Sequence, residues 1–232
     1  MISYLRQFMD PHPDQWYGNK SYSQHGEDLV FLNIFKLIKI EKISWLDIGA
    51  HHPFIISNTA LLYERGHRGI NVEANPHLFP EFVAHRPGDI NLNVGVSDVS
   101  GEMNFYMIDK FSGRNTFDKH AAVAFVRENP QFKITEIIKI PVVTVPEILK
   151  KCSLDQFPDL MSLDVEGLDK KIILSLDLKE KGPAVICIEE NDPGEDQGGE
   201  LRRHLDGQGY FPYYKAGVNV IFVRKEYRPC LY

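Results

Sequence analysis

The sequence predicts an α/β fold: an open, mostly parallel sheet flanked by helices and finished by an antiparallel C-terminal hairpin. Three observations predict it. From residue 45 to 96, and again from 160 to 208, short apolar runs alternate with segments of helical periodicity, the pattern of βαβ units joined by right-handed crossovers. Two β-rich runs at 211–215 and 218–224, split by a tight turn, close the chain, so one strand there runs against the rest. Five of the apolar runs end in polar or acidic residues, and in open parallel sheets that rim is where ligands bind.

In chain order, residues 1–20 are dotted with Pro11, Pro13, Trp16 and Tyr17 and read as an N-terminal arm. Residues 21–232 read as a single domain carrying a polar insertion at about 109–133. The segment 29–38 has Leu29, Leu32 and Phe35 at helical spacing, Glu27 and Asp28 at the positive end of the helix dipole, and Ser23 as its N-cap. A strand at 45–50, a helix at 58–65, a strand at 69–74, a helix at 76–85 opened by Pro76 and a third strand at 90–96 follow. Residues 102–108 are expected to pair back on that third strand through the turn at 98–101. Beyond a polar stretch lie a short helix at 121–127 and a β-rich run at 134–145, where Pro141 indicates an edge or a bend. A short helix at 146–152 precedes the second alternation: strand 160–166, helix 169–176, strand 184–190, and a helix at 200–208 ended by Gly209.

Bulk properties narrow the function. A length of 232 residues with 43% hydrophobic and 25% charged residues suits one soluble domain. No apolar run approaches the length of a membrane span, and residues 1–10 lack the basic-then-apolar order of a secretory signal. Cys152, Cys187 and Cys230 are scattered without metal-ligand spacing, which points to a reduced, cytoplasmic compartment. A formal charge of −6 argues against a nucleic-acid partner. The oligomeric state is open, a homodimer included.

The chemistry is expected along the rim. The first strand ends in Asp47, Gly49 and Ala50, and small residues there let the backbone approach a ligand closely. Glu73 ends the second strand, about 20 residues further on, where a carboxylate accepts hydrogen bonds from the ribose hydroxyls of an adenosine cofactor. The dinucleotide fingerprint G-x-G-x-x-G is missing; the turn is Asp47-Ile-Gly-Ala-His-His-Pro53, with one glycine and then a proline. A pyrophosphate needs close backbone approach and a free helix N-terminus, so NAD is disfavoured and S-adenosylmethionine, with adenosine but no phosphates, fits better.

Other rim residues carry two readings each. His51 and His52 are adjacent, so in an extended segment only one faces the cleft. Ser57, Asn58 and Thr59 open a helix, and capping explains them; a helix N-terminus beside a cofactor also binds its carboxylate. Asp164 and Glu166 lie two apart on the 160–166 strand and are expected to share a face. They are candidates for a general base or, with Glu190, for a divalent-cation site of oxygen ligands. Arg114, Asn115 and His120 in the polar insertion are candidates for contacts to an acceptor's hydroxyls. No nucleophile or triad is singled out.

Six segments taken in order resemble the FkbM family of methyltransferases: Ser23-Gln-His-Gly-Glu-Asp-Leu29, Asp47-Ile-Gly-Ala-His-His-Pro53, Ser57-Asn-Thr59, Asn71-Val-Glu-Ala-Asn-Pro76, Asn93-Val-Gly-Val-Ser97 and Ser162-Leu-Asp-Val-Glu-Gly-Leu168. The resemblance spans about residues 22–191. It implies a Rossmann-like class I methyltransferase fold, a seven-stranded sheet with its last strand antiparallel, and S-adenosyl-L-methionine as cofactor. It also implies O-methylation, commonly of sugar hydroxyls in bacterial glycans and of hydroxyls on secondary metabolites. Carried over by position, Asp47, Gly49 and Ala50 form the methionine-side turn and Glu73 holds the ribose, with His51 and Ala74 continuing these two turns as cofactor contacts. Asn75 and Ser97 lie near the adenine, Gln24 and Glu27 close over the site, and Asp164 lies nearest the transferred methyl. Two departures stand out: Pro53 replaces the later glycines of the broader methyltransferase turn, and Ser162 stands where many members carry lysine. The expected function is methyl transfer to a hydroxyl, on a saccharide of a bacterial glycan or glycosylated metabolite. The alternatives are a nucleotide- or NAD-dependent enzyme on the same sheet and a non-catalytic cofactor-binding module.

Overall fold

A computed structural model describes residues 20–190 and 199–231; the expected N-terminal arm up to residue 19, and Asn191, lie outside the described residues. In chain order the elements are α1 (Glu27–Leu37), β1 (Trp45–Ile48), α2 (Ala60–Glu64), β2 (Ile70–Val72), α3 (Phe79–His85), β3 (Ile90–Leu92), β4 (Gly95–Val96), β5 (Gly101–Met107), α4 (Lys119–Glu128), β6 (Glu136–Val143), α5 (Val145–Lys151), β7 (Leu160–Leu163), α6 (Asp169–Leu174), β8 (Val185–Glu189), α7 (Gly199–Gly207), β9 (Tyr210–Ala216), β10 (Asn219–Arg224) and α8 (Arg228–Leu231). A seven-stranded sheet runs in the order β3-β2-β1-β7-β8-β10-β9. Neighbours from β3 to β8 pair in parallel, while β10 runs antiparallel to both β8 and β9. The chain winds outward from β1 to β3 and resumes on the other side at β7. The order therefore reverses between β1 and β7, and that switch point is where an open α/β sheet leaves a crevice for a ligand.

Strands β1 and β7 are buried along their whole length, as expected of central strands covered on both faces. Side chains alternate across the sheet. Leu46, Ile48, Met161 and Leu163 pack on one face with Ile148 of α5 and Ile172 of α6. Trp45, Leu160, Val185 and Cys187 pack on the other against Phe31, Ile34 and Phe35 of α1. The helix α5 is closed by a capping box, in which Glu147 donates its N–H to the Thr144 hydroxyl at 3.4 Å and its carboxylate accepts from the Thr144 N–H at 2.9 Å.

Five local expectations are corrected. The run 90–96 splits, with β3 in the main sheet and β4 in a separate three-stranded sheet of order β4-β6-β5. Strand β5 pairs antiparallel with β6 rather than with the strand before it, and β4 joins β6 in parallel. Pro141 thus lies in a middle strand; it fits because β4 reaches only Val142 and Val143, leaving the β4 side of Pro141 without a strand partner. Finally β7 stops at Leu163, and Glu166 sits at φ 53° in the left-handed region, so Asp164 and Glu166 do not share a face by strand alternation. At α1, the N-cap is Gly26 rather than Ser23, whose hydroxyl instead donates to Asp28 at 3.0 Å.

A buried polar chain lies behind β1. Trp45 Nε1 donates to Asn71 at 3.1 Å, Asn71 Nδ2 to Asp89 at 3.0 Å, and Arg86 Nε to Asp89 at 2.8 Å. Arg86 also donates to the Thr59 hydroxyl at 3.0 Å, and Thr59 donates to Asp47 Oδ2 at 2.7 Å. The side chains of Arg86 and Asp89 are 0% exposed. Removing one member of a buried pair costs about 3–5 kcal/mol because the other charge is stranded. Arg86→Met is therefore expected to lower the melting temperature by roughly 10 °C, read by calorimetry; an unchanged transition would show that the pair does not hold this face.

Candidate functional site

A cavity of about 280 Å³ opens at the carboxyl ends of β1, β2 and β4, at the lower end of small-molecule pockets. Its floor is the turn after β1. Gly49 has φ 78°, and a Cβ there would fall 1.7 Å from the Asp164 carbonyl oxygen, so this turn presses against the end of β7 as only glycine permits. Gly49 and Ala50 both donate to the Val72 carbonyl, at 3.0 and 3.1 Å, which ties the turn to β2.

Glu73 follows β2 and is 7% exposed. Its Oε2 accepts from the His51 N–H at 2.7 Å and its Oε1 from the Asn75 N–H at 2.6 Å. Burial pushes this carboxyl up to about 7, against the pull of those two N–H groups. A carboxylate has about four lone-pair sites, so each oxygen keeps one for a ligand. Asp47 is also buried; desolvation raises its pKa while Thr59, Arg86 and Ser162 hold it down. Asn75 stands beside Glu73 with its Nδ2 donating to the Lys110 carbonyl at 2.8 Å, joining the turn after β2 to the polar insertion.

The third wall is the segment after β7. Asp169 accepts from the N–H groups of Val165 at 2.9 Å and Gly167 at 3.1 Å, fixing the loop that presents Asp164. It is thus Asp169, not Asp164, that organises the start of α6. Asp164 Oδ1 is buried and has no hydrogen-bond partner among the described residues. Burial raises its pKa well above the carboxylate range, reinforced by Asp169, Glu189 and Glu166. Glu166 is pushed up to about 7 by burial, with Arg114 opposing; one guanidinium nitrogen of Arg114 bridges both its oxygens at 3.1 Å.

Of the residues expected at the site, Gln24, Asp47, Gly49, Ala50, His51, Asn58, Glu73, Ala74, Asn75, Arg114, Asn115, Asp164 and Glu166 line the cavity. Asn58 donates to the Ser162 hydroxyl at 3.1 Å, so the serine at the lysine position also lies on the wall. The amide of Asn115 is taken up by its own loop, accepting from the Ile108 N–H and donating to the Asp109 carbonyl, both at 2.8 Å.

Six expected residues lie outside the lining, each held by a partner elsewhere. Glu27 accepts from the His25 N–H at 2.8 Å and from Asn219 at 2.7 Å, pinning α1 to β10. Ser57 accepts from the Ala60 N–H at 3.2 Å as a turn-former, and Thr59 is spent on Asp47 and Arg86. Ser97 bonds Asp98 at 3.0 Å. His120 stands in the first turn of α4, its N–H held by Asp118 at 2.7 Å. Glu190 is clamped by Arg202 at 2.8 and 2.6 Å, so the cation site of Asp164, Glu166 and Glu190 is not assembled. Among the described residues no three His, Cys, Asp or Glu side chains group to hold a metal. The apolar wall of Ile56, Leu78, Val94, Val96, Phe105 and Phe117 was not singled out from the sequence; its only signal there was hydrophobicity, which reads as core.

Against known proteins, the sequence profile of the methyltransferase FkbM domain matches residues 47–212. No curated protein matches the chain. Two solved structures are similar. A TehB-like SAM-dependent methyltransferase from Corynebacterium glutamicum has 11% identity and a TM-score of 0.40, with 97% of each chain covered. The 1,6-didemethyltoxoflavin-N1-methyltransferase from Burkholderia thailandensis, with bound 1,6-didemethyltoxoflavin and S-adenosylhomocysteine, has 14% identity and a TM-score of 0.39 over 96% of this chain and 84% of its own. Most of the chain, including every cavity-lining segment from β1 to the loop after β7, falls inside the matched domain, and the chain belongs to the FkbM family of S-adenosylmethionine-dependent methyltransferases.

Proposed function

We propose that the protein transfers the methyl group of S-adenosylmethionine to a hydroxyl oxygen, the acceptor being a saccharide of a bacterial glycan or a glycosylated metabolite. One observation carries the donor reading: the cavity wall carries the acidic side chains Asp47, Glu73, Asp164 and Glu166, and among the described residues that line it Arg114 is the lone Lys or Arg, already paired with Glu166. Such a wall has no free cation to meet a pyrophosphate, whereas a bound positive charge would stabilise these carboxyls in their ionised form against the burial that raises their pKa values, which disfavours the nicotinamide alternative. The unpartnered Asp164 Oδ1 is the group an incoming positive charge satisfies.

The bound donor supplies an electrophilic methyl on a sulfonium sulfur. The residues of this chain hold and orient it. Glu73 offers its two remaining lone pairs to the ribose, and the apolar wall of Leu78, Val94 and Val96 suits a flat base. Asp164 faces the positive end, and Gly49 lets the turn pass close beneath. The acceptor enters from the side of Ser112, Arg114 and Glu166, where polar groups suit a sugar, as in the O-methylation the family resemblance implies. The protein's contribution is alignment of an oxygen with the methyl carbon–sulfur axis. Among the described residues no helix is long and apolar enough to cross a membrane.

Incubation with methyl-labelled S-adenosylmethionine and a panel of sugars and glycan extracts, followed by mass spectrometry, tests this. Label on a hydroxyl is the expected result. Binding of S-adenosylhomocysteine without transfer to any acceptor would favour a non-catalytic module, and binding of NAD in its place would end the reading. Asp164→Asn removes the carboxyl that a bound sulfonium would draw into its ionised form. It is expected to cut transfer by about 100-fold or more, the loss of roughly 3 kcal/mol typical of one electrostatic partner. Affinity for S-adenosylmethionine should fall more than affinity for S-adenosylhomocysteine, whose sulfur is a neutral thioether; equal losses would remove Asp164 from that role.

A further inference from the structure

We propose that His51 is the catalytic base that takes the proton from the acceptor hydroxyl, an inference that rests on the methyl-transfer reading above. The other ionisable groups of the cavity wall are committed. Glu73 accepts two backbone N–H groups, Asp47 accepts from Thr59, and Glu166 shares both oxygens with Arg114. Asp164 Oδ1 is open, but it is the group that meets the donor's positive charge. The His51 imidazole lines the same cavity, half-buried, and makes no hydrogen bond among the described residues. It therefore has a nitrogen lone pair to spare.

The backbone places that ring between the turn after β1, read above as the donor side, and the polar insertion, read as the acceptor side. His51 follows two residues after Gly49, whose backbone lies against the Asp164 carbonyl, and a Cβ on Gly113 of the insertion would lie 3.8 Å from His51 Cε1. The imidazole thus bridges the donor turn and the acceptor loop. Its residue is held at φ 55° by the N–H bond to Glu73, a conformation that non-glycine residues rarely adopt. Ile56 at φ 52° and Glu166 at φ 53° share this feature and also line the cavity, and strain of this kind concentrates where function over-determines the backbone.

His52 on its own loop acts on His51 electrostatically, Glu73 holds its backbone N–H, and the other charged or titratable residues lining the same cavity are Asp47 after β1, Asp164 and Glu166 after β7, and Arg114 on the insertion. Burial, helped by His52, lowers its pKa, which keeps the imidazole neutral near neutral pH. In the step, the acceptor oxygen bonds to the methyl carbon as the carbon–sulfur bond breaks and its electron pair stays on sulfur. The hydroxyl proton passes to the imidazole lone pair, and from the imidazolium to water.

Two measurements test it on the full chain. In the first, the imidazole resonances are followed against pH by NMR with S-adenosylhomocysteine and then with S-adenosylmethionine bound, His51→Asn supplying the assignment. The His51 pKa should be lower with the sulfonium compound, whose positive charge shares the cavity; identical values would overturn the placement. In the second, transfer from labelled S-adenosylmethionine is measured on whichever panel sugar accepts it. His51→Asn, chosen because Asn tolerates a positive φ, should lose about 10²–10⁴-fold in rate, the range of a general base, while its affinity for S-adenosylhomocysteine stays within about twofold. His51→Gly should regain transfer when imidazole is added. Full activity in either variant overturns the proposal. Failure of the parent reading is distinct: neither adenosyl compound would then bind, or both would bind and the wild-type chain itself would transfer no label to any hydroxyl.

Discussion

Gly49→Ala is expected to leave a protein that binds S-adenosylhomocysteine at least 100-fold more weakly and melts about 10 °C lower. The reason is local and steric. Gly49 sits at φ 78°, where any L side chain costs roughly 1–2 kcal/mol. The added Cβ would also overlap the Asp164 carbonyl oxygen at 1.7 Å and its carbon at 2.8 Å. Both are backbone atoms, so no side-chain rotation relieves the clash. The Asp164 carbonyl belongs to the strand end that faces β1, where the Asp164 N–H donates to the Ile48 carbonyl at 3.0 Å. Relief therefore requires β1 and β7 to part at the switch point, which moves the turn, Asp164 and the cavity floor together. A total near 3–5 kcal/mol, at about 2–4 °C per kcal/mol for a chain of this size, gives the expected drop. Thermal melts and calorimetric titration check it. A variant with wild-type melting and wild-type affinity would mean that the turn is not pressed on β7 as described.

How much of this was legible in the sequence depends on how local the cause is. The ends of β1 and β2 were readable because an apolar run that stops at Asp47-Ile-Gly49, or at Glu73, announces itself within a few residues. The terminal hairpin was readable for the same reason, and it supplies the antiparallel strand β10. Three of the misplaced residues have the opposite property. Glu27 is claimed by Asn219, 192 residues away in the chain, and Glu190 by Arg202. Thr59 is claimed by Arg86, 27 residues on. A carboxylate or hydroxyl at a strand or helix end serves a ligand and a distant side chain equally well, and only the fold decides which. The small sheet failed to show for a related reason: β4 finds its partner β6 across the insertion, and short strands with remote partners carry no local signature. The Glu166 backbone is a third case. Its φ of 53° is set by the Asp169 bonds to Val165 and Gly167 and by the Thr116 hydroxyl on its carbonyl at 2.6 Å, none of which an alternating apolar pattern reveals.

Glu73→Gln should separate the structural from the ligand-binding work of that residue through pH. In the folded protein burial holds the Glu73 carboxyl at about 7, against 4.5 in an unconstrained chain. Between those values the native state binds the proton that the unfolded chain has released. Stability of the ligand-free protein therefore falls as pH rises from about 4.5 to about 7 and levels off above. For a fully buried group the change approaches 3 kcal/mol. Glutamine does not titrate, so urea unfolding of the variant at pH 5 and pH 7.5 should show a difference smaller than wild type by about that amount. Equal differences in the two proteins would remove Glu73 as the source. Binding should run the other way. Ribose hydroxyls donate to the ionised carboxylate, so S-adenosylhomocysteine favours the deprotonated state, and wild-type affinity should rise with pH up to about 7 with release of a proton. Glutamine offers one acceptor oxygen where the carboxylate serves the His51 and Asn75 N–H groups and still has lone pairs to spare. Its variant should bind roughly 30-fold or more weakly, the cost of about 2 kcal/mol for an unmet buried donor, and with an affinity from which this pH dependence is gone. The two slopes have opposite signs, so a single carboxylate that weakens the empty protein near neutral pH is the one that the bound donor turns to advantage.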